Sequence, residues 1–303
     1  MRPSRAAHFR ELLDKPAILL MPGVYDGFSA RLVEQVGFEA AVITGSGLSE
    51  SRLGRPDVGL MGLETNVAAA RSLVECTSIP LIADADTGYG NAINVYFTVQ
   101  AFEAAGVAGV TIEDQVSPKR CGHLAGKEVI SAEEMVEKVH AAVDARTDPN
   151  FVIKARTDAA GVLGVDEAVR RLNLYADAGA DHLFADALLS FDDIRTVAAS
   201  VSKPLSVNMG FGIRRRPTTP LISAMELQEL GVSAVSYPRL LSSTAIRGMT
   251  NGLQALLTTH EKGVVEDRPE LAVTFEELSE LMGIEEFRSM EDRYKTKFHV
   301  TSE

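Results

Sequence analysis

Short apolar runs rich in Val, Ile, Leu and Ala recur along the first 238 positions, each separated from the next by a stretch with helical spacing. Eight runs qualify: 16–21 (PAILLM), 39–44 (EAAVIT), 80–86 (PLIADAD), 109–114 (GVTIED), 151–157 (FVIKART), 182–187 (HLFADA), 204–209 (PLSVNM) and 234–238 (AVSYP). Their length and near-continuous apolarity are those of strands buried on both faces. Between them lie stripes at three- and four-residue spacing: Val67, Ala70, Leu73 and Val74; Val95, Val99, Phe102 and Ala105; Val136, Val139, Ala142 and Val143; Ala168, Leu172 and Ala176. Gly37, Gly106, Gly179 and Gly231 each follow such a stretch and precede a strand, the place of a left-handed helix cap. Strands alternating with helices pair in parallel through right-handed crossovers. Eight units predict an α/β fold, a (β/α)8 TIM barrel over residues 1–238, with a doubly wound sheet as the alternative.

Residues 239–303 lack strand pattern and carry helical stretches at 275–282 and 285–298. They exceed what one closing helix needs, so the segment is expected to close the barrel and to pack on a neighbouring subunit. At the other end, Phe9, Leu12 and Leu13 form one face of a short helix. Arg2, Arg5 and Arg10 hint at a transit peptide, but Glu11 and Asp14 break its acid-poor rule, so a cytoplasmic location is expected ahead of a mitochondrial one.

Composition narrows the function classes. The chain is 46% hydrophobic, enough to fill a core, and no apolar stretch approaches the ~20 residues that cross a bilayer. Forty-two acidic against thirty basic residues give a net charge of -12, the wrong sign for a nucleic-acid footprint. Two cysteines, Cys76 and Cys121, exclude a disulfide scaffold. No nucleic acid and no membrane are expected among the partners.

In a barrel of this kind the C-terminal strand ends form the active site. Those ends deliver Tyr25, then Thr44-Gly45-Ser46, Asp84 and Asp86, Glu113 and Asp114, Arg156 and Asp158, Asp186, Asn208, and Tyr237. Acidic and polar side chains thus interrupt otherwise apolar strands at the same end, which a purely structural barrel would not require. Asp84 and Asp86 are two apart, so on a strand their carboxylates share a face. Such a pair stays ionised most easily around a hard dication such as Mg2+, with Glu113 joining directly or through water. A pair of capping acids at a turn is the competing account.

In the segment 113–123 (EDQVSPKRCGH), Cys121 stands among Lys119, Arg120 and His123, a positive setting that favours an easily mobilised proton. Gly122 and Gly126 let the stretch move as a closing loop. Cys76, among Leu73, Val74 and Ile79, reads as a small core residue.

The KRCGH loop after IEDQ resembles the signature of the isocitrate lyase and phosphoenolpyruvate mutase superfamily. The resemblance runs nearly the whole chain, through Pro22-Gly23, the 84–90 segment DADTGYG, the 154–158 segment KARTD and Tyr237-Pro238. The chain is most similar to the short methylisocitrate lyases and 2,3-dimethylmalate lyases. That resemblance implies a Mg2+-dependent carbon–carbon lyase, Mn2+ being the substitute metal, usually a homotetramer that exchanges terminal helices. By position it implies that Asp84 and Asp86 hold the metal, with Glu113 in the outer shell and Asp57 nearby. It further implies that Thr44, Gly45 and Ser46 bind a substrate carboxylate, that Cys121 is the catalytic acid and that Arg156 is a substrate-binding cation. Tyr25 is a candidate base; His123 stands with Cys121 in the loop, and Gly122, Asp186 and Asn208 complete the expected substrate contacts.

Three departures bear on the substrate. Asp186 stands where the methylisocitrate branch has Glu, and Asn208 is followed by MGFGIRRRP rather than a Thr-Glu-Phe-Gly stretch. A tricarboxylate fit is therefore disfavoured, and a branched 2-hydroxy dicarboxylate such as 2,3-dimethylmalate, cleaved to pyruvate and propionate, is expected ahead of 2-methylisocitrate. Arg214, Arg215 and Arg216 read equally as a solvated loop or as substrate contacts. Pro238 replaces the Ser typical of oxaloacetate acetylhydrolases and lacks its hydroxyl, which favours lyase over hydrolase. A non-catalytic barrel that merely binds a dicarboxylate is the reading from another class; the presence of Cys121, Asp84 and Asp86 argues against it.

Overall fold

The structure is a computed structural model describing residues 4–122, 126–216 and 219–295. Its strands are β1 (Leu19–Val24), β2 (Ala41–Ile43), β3 (Leu81–Asp84), β4 (Gly109–Glu113), β5 (Val152–Thr157), β6 (His182–Ala185), β7 (Leu205–Asn208) and β8 (Ala234–Tyr237). They pair in parallel in chain order, and β8 closes on β1. Closure makes this the TIM barrel and excludes the doubly wound sheet, which has free edges. Seven of the eight runs fall on their strands to within two residues at either end. The first does not: β1 starts at Leu19 and extends through Pro22, Gly23 and Val24, past the end of the 16–21 run. Gly23 is required there, because a Cβ would stand 2.5 Å from the Cα of Pro238 on β8's end.

Helix α1 (Arg5–Leu13) is capped by Ser4, whose hydroxyl accepts from the Ala7 N–H at 3.1 Å. Its buried face, Phe9, Leu12 and Leu13, packs with Leu19, Met21 and Val152 and so plugs the N-terminal end of the barrel. Helix α2 (Gly27–Val36) ends on Gly37 at φ 102°, and the helix Val165–Asp177 is followed by Gly179 at φ 104°. A side chain at either would sit in the disfavoured left-handed region, which is why these units share their ending. Helix α3 (Gly45–Leu53) was not expected. It makes Thr44-Gly45-Ser46, which the sequence places at the end of strand two, a helix N-terminus with Thr44 as its cap.

By its backbone contacts the chain divides into two compact units, residues 1–243 and 244–303. The first holds the barrel. The second continues the helix Leu240–Lys262 and adds the helices Phe275–Leu281 and Ile284–Tyr294, with no strand among its described residues. No described helix is long and apolar enough to cross a membrane.

Candidate active site

β5 alternates Lys154 and Arg156 into the barrel while Ile153 and Ala155 meet the core around it. Arg156 sits at the mouth. Its Nε lies 2.8 Å from Asp158 Oδ2 and 3.1 Å from Glu113 Oε2, and its Nη2 donates to Asp186 Oδ2 at 2.7 Å. Burial alone would drive the guanidinium down, but Asp158, Asp186 and Glu113 more than compensate and hold it well above its ordinary value. Arg156 is thus a fixed cation with a fixed orientation.

The acids of β3 and β4 stand beside it. Asp84 accepts the Asp86 N–H at 3.0 Å, a tight turn that forces Asp86 to φ 49°. Ala187, just after Asp186, is likewise at φ 56°. Non-glycine residues in this region cost about 1–2 kcal/mol each, and both sit where they aim a site carboxylate. Gly45 is indispensable to this turn: a Cβ there would stand 2.7 Å from Asp84 Oδ2.

Lys119 is the residue whose role sequence reasoning missed. Its ammonium is buried between Asp57 Oδ1 at 2.7 Å and Asp86 Oδ1 at 2.8 Å. Burial works against its charge, but Asp86, Asp84, Glu113 and Asp57 together hold its pKa well above the ordinary value. Asp86, in turn, is raised to about 6 by burial, with Asp84 reinforcing and Lys119 opposing. Glu113, fully buried, is raised well above the usual carboxylate range, again by burial first.

The expected metal set of Asp84, Asp86, Glu113 and Asp57 therefore gathers at one end of the barrel, but with a lysine among it. No three Asp, Glu, His or Cys side chains converge at metal-binding distance among the described residues. Glu113 Oε1 is buried without a hydrogen-bond partner. A buried carboxylate oxygen in that state needs a proton, a water or a cation. All four acids offer hard oxygen donors, and Mg2+ characteristically keeps water and takes only one or two carboxylates. The residues present fit a hydrated Mg2+ ion.

The Cys121 loop folds back over Arg156. Its base is an antiparallel bridge between Gln115 and Val129, with Val116 N–H donating to Glu128 O at 2.9 Å. The Gln115 side chain spans the turn, giving to Arg120 O and receiving from Arg120 N–H at 2.9 and 3.0 Å. Cys121 N–H donates to Asp57 O at 3.1 Å. Gly122 lies directly on the Arg156–Asp186 pair, since a Cβ there would come within 1.7 Å of Asp186 Oδ2. Lys127 fastens the loop: its Nζ donates to Gly122 O at 2.6 Å and to Asp158 Oδ1 at 2.9 Å. The half-buried Cys121 thiol accepts from Arg239 Nη2 at 3.5 Å. The positive partner of Cys121 is thus Arg239, just past β8, which nothing in the sequence pattern marked. His123 lies outside the described residues.

A cavity at the barrel mouth is lined by Thr44, Asp84, Arg156, Asn208, Pro238 and, deeper, Thr111, Lys154 and Ser236. Asn208 Nδ2 donates to Asp186 Oδ1 at 3.2 Å, tying the two expected substrate contacts together. Tyr25 is not among the lining residues. It borders a separate cleft with Arg52, Ala69 and Cys76, and burial with help from Asp26 raises its phenol pKa, which makes it harder to recruit as a base. The three arginines after β7 divide: Arg214 and Arg215 are exposed, while Arg216 turns in and donates to Asn208 O at 3.0 Å.

A closed parallel barrel with acids, a fixed arginine and a cysteine loop at its C-terminal end defines an enzyme of the isocitrate lyase/phosphoenolpyruvate mutase superfamily. The phosphoenolpyruvate phosphomutase family pattern matches residues 9–257, and the chain belongs to that family. It is 42% identical over 291 residues to a 2,3-dimethylmalate lyase of Eubacterium barkeri, spanning 96% of this chain and 98% of that one. It is 40% identical over 268 residues to a 2-methylisocitrate lyase of Shewanella oneidensis, spanning 88% and 90% of the two chains. Among solved structures, a phosphonopyruvate hydrolase in complex with oxalate and Mg2+ superposes with a TM-score of 0.83 at 30% identity, over 97% of this chain and 100% of that one.

Proposed function

We propose that the chain is a Mg2+-dependent lyase that cleaves the C2–C3 bond of a 2-hydroxy dicarboxylate, with 2,3-dimethylmalate, giving pyruvate and propionate, as the substrate. The observation that carries this reading is the Cys121–Gly122 segment lying over an Arg156 held by three carboxylates. Arg156 lines the cavity, and the loop that carries Cys121 lies against Arg156 through Gly122.

Asp84 and Asp86, with Glu113 and Asp57 around them, would hold the metal, which when bound supplies Lewis acidity that lowers the pKa of a chelating 2-hydroxyl. The residues do the rest. Thr44 and the first N–H groups of α3 receive the carboxylate next to that hydroxyl, at a helix N-terminus whose donors have no intrahelical partners. The 2-hydroxyl proton passes to solvent water before the loop closes, and heterolysis of C2–C3 leaves a ketone at C2 and the electron pair at C3. Arg156 faces that developing negative charge and does not have to reorient. The Cys121 thiol gives its proton to C3, completing propionate, and the closed loop keeps bulk water from doing so. The substrate also agrees with Asp186 being tied to Asn208 and Arg156, and with Arg216 turned onto Asn208, so that these groups hold one another instead of standing open to a third carboxylate. The homotetramer implied by the family resemblance belongs to this proposal, its contact surface being the exposed stripe Ile246, Met249, Leu253 and Leu257.

Purified protein with Mg2+ is offered 2,3-dimethylmalate, 2-methylisocitrate, oxaloacetate and isocitrate, and 2-oxo-acid release is followed with proton NMR of the products. The expected outcome is the highest kcat/KM on 2,3-dimethylmalate. A clear preference for 2-methylisocitrate overturns the substrate, and hydrolysis of oxaloacetate overturns the reaction.

A further inference from the structure

Lys154 is buried in the middle of the barrel, and no carboxylate lies within ion-pair distance of its ammonium among the described residues. Its ammonium makes no hydrogen bond to a described residue and lies over the face of the Phe184 ring, 4.8 Å from Nζ to the centroid. The Arg156 guanidinium carbon also lies over this ring, 5.3 Å from the centroid. A lone buried ammonium is among the costliest groups a core can hold, and a ring face offsets only part of that cost. Burial accordingly pushes its pKa down to about 7, with Arg156 pushing the same way and Asp84 and Asp186 opposing.

The cavity gives this charge a purpose. Lys154 lines the deep end of the cavity whose mouth holds Arg156, Asp84 and Thr44. Thr111 on β4 and Ser236 on β8 border the same deep end with hydroxyls. Register places Thr111 beside Lys154, on the neighbouring strand and the same face. A cation and two hydroxyls around one pocket complement a carboxylate, since each can donate to an oxygen once Ser236 releases its long 3.4 Å bond to Val207 O.

We propose that Lys154, Thr111 and Ser236 form an anion subsite on the cavity floor that takes one carboxylate of the substrate and selects doubly charged substrates over singly charged ones. This rests on the dicarboxylate reading above and deepens it by assigning one carboxylate a place. Lys154 is a specificity-determining residue, acting by binding rather than by moving a proton of the reaction.

The test is calorimetric, on full-length protein with Mg2+, and uses succinate and its monoamide succinamate, which differ by one charge. The wild type is expected to bind succinate at least about tenfold more tightly than succinamate, and Lys154→Met to reduce that ratio to within about twofold. Succinate should also raise the Tm of the wild type more than that of the variant. Lys154→Gln serves the same comparison if the Met variant does not fold. An undiminished ratio in either folded variant, or no preference in the wild type, overturns the proposal. With 2,3-dimethylmalate as substrate, Lys154→Met should raise KM at least about tenfold while leaving kcat within about threefold. A wild type that fails to cleave this compound at all defeats the proposed reaction, yet leaves the succinate comparison readable for the subsite.

Discussion

Lys119 stands two residues from Cys121 in the chain, yet its ammonium lies between Asp57 and Asp86. Asp84, Asp86, Glu113, Asp158 and Asp186 are legible in the sequence because they stand at the same ends of apolar strands, whereas Asp57 lies outside the eight runs and is marked only by the family resemblance. Arg156 is legible in the same way, but the targets of Lys119, Lys127 and Arg239 are not, because where a long side chain ends depends on the face its backbone presents. Lys154 is the instructive case: its alternation with Arg156 in the 151–157 run already puts the two on one side of β5, but a lysine inside an apolar strand has no pattern that names its partner. Its consequence for stability can be read from pH. Lys154 titrates near its ordinary 10.5 in the unfolded chain and at about 7 in the fold. Between those values the unfolded chain holds a proton that the folded chain lacks, so the unfolding free energy rises with pH across the window. Below pH 7 the burial penalty is present in full. His182, its neighbour on β6, adds no charge, since burial holds the imidazole well below its ordinary pKa. Lys154→Met removes the penalty, so without ligand its Tm should exceed that of the wild type by several degrees at pH 6.5. The advantage should shrink steadily towards pH 10 in scanning calorimetry. An advantage independent of pH contradicts the buried, unpartnered charge.

At the scale of elements, β-strands and their following helices are legible because both periodicities are strong and the glycine caps repeat. α3 is not, because Gly45 and Gly47 lower its propensity and only Leu48 among its first residues is buried and large. That helix nevertheless matters, since its N-terminus supplies the N–H groups assigned to a carboxylate. The cysteine loop is likewise legible as a movable segment but not as a closed one. What closes it is Lys127, which bridges Gly122 O and Asp158 Oδ1. Lys127→Met should free the loop: limited proteolysis within 119–127 is expected to accelerate, and kcat to fall at least about tenfold, because the acid is then misplaced for part of the time. The barrel's own melting should change little beside this. Unchanged proteolysis together with unchanged kcat would show that the loop is held by other contacts.

For the whole molecule, the acidic surplus takes on two meanings. Most of those acids are solvated, but Asp57, Asp84, Asp86, Glu113, Asp158 and Asp186 gather around Arg156, Lys119 and Lys127 at one end of the barrel. The fold class was legible before any contact was known, since eight strand–helix units leave few ways to be closed. The site was legible as a set of strand ends, and its inner wiring was not. The central claim is that this set cleaves a carbon–carbon bond with Cys121 as the acid. Its most direct test is 2,3-dimethylmalate turnover by wild type and Cys121→Ser, read as pyruvate and propionate by proton NMR, with pyruvate binding measured in parallel. The variant should bind pyruvate and Mg2+ within about threefold of the wild type while its turnover falls by at least about 10²–10⁴-fold, the usual share of a positioned acid. Turnover within a few-fold of the wild type would contradict the assignment of Cys121.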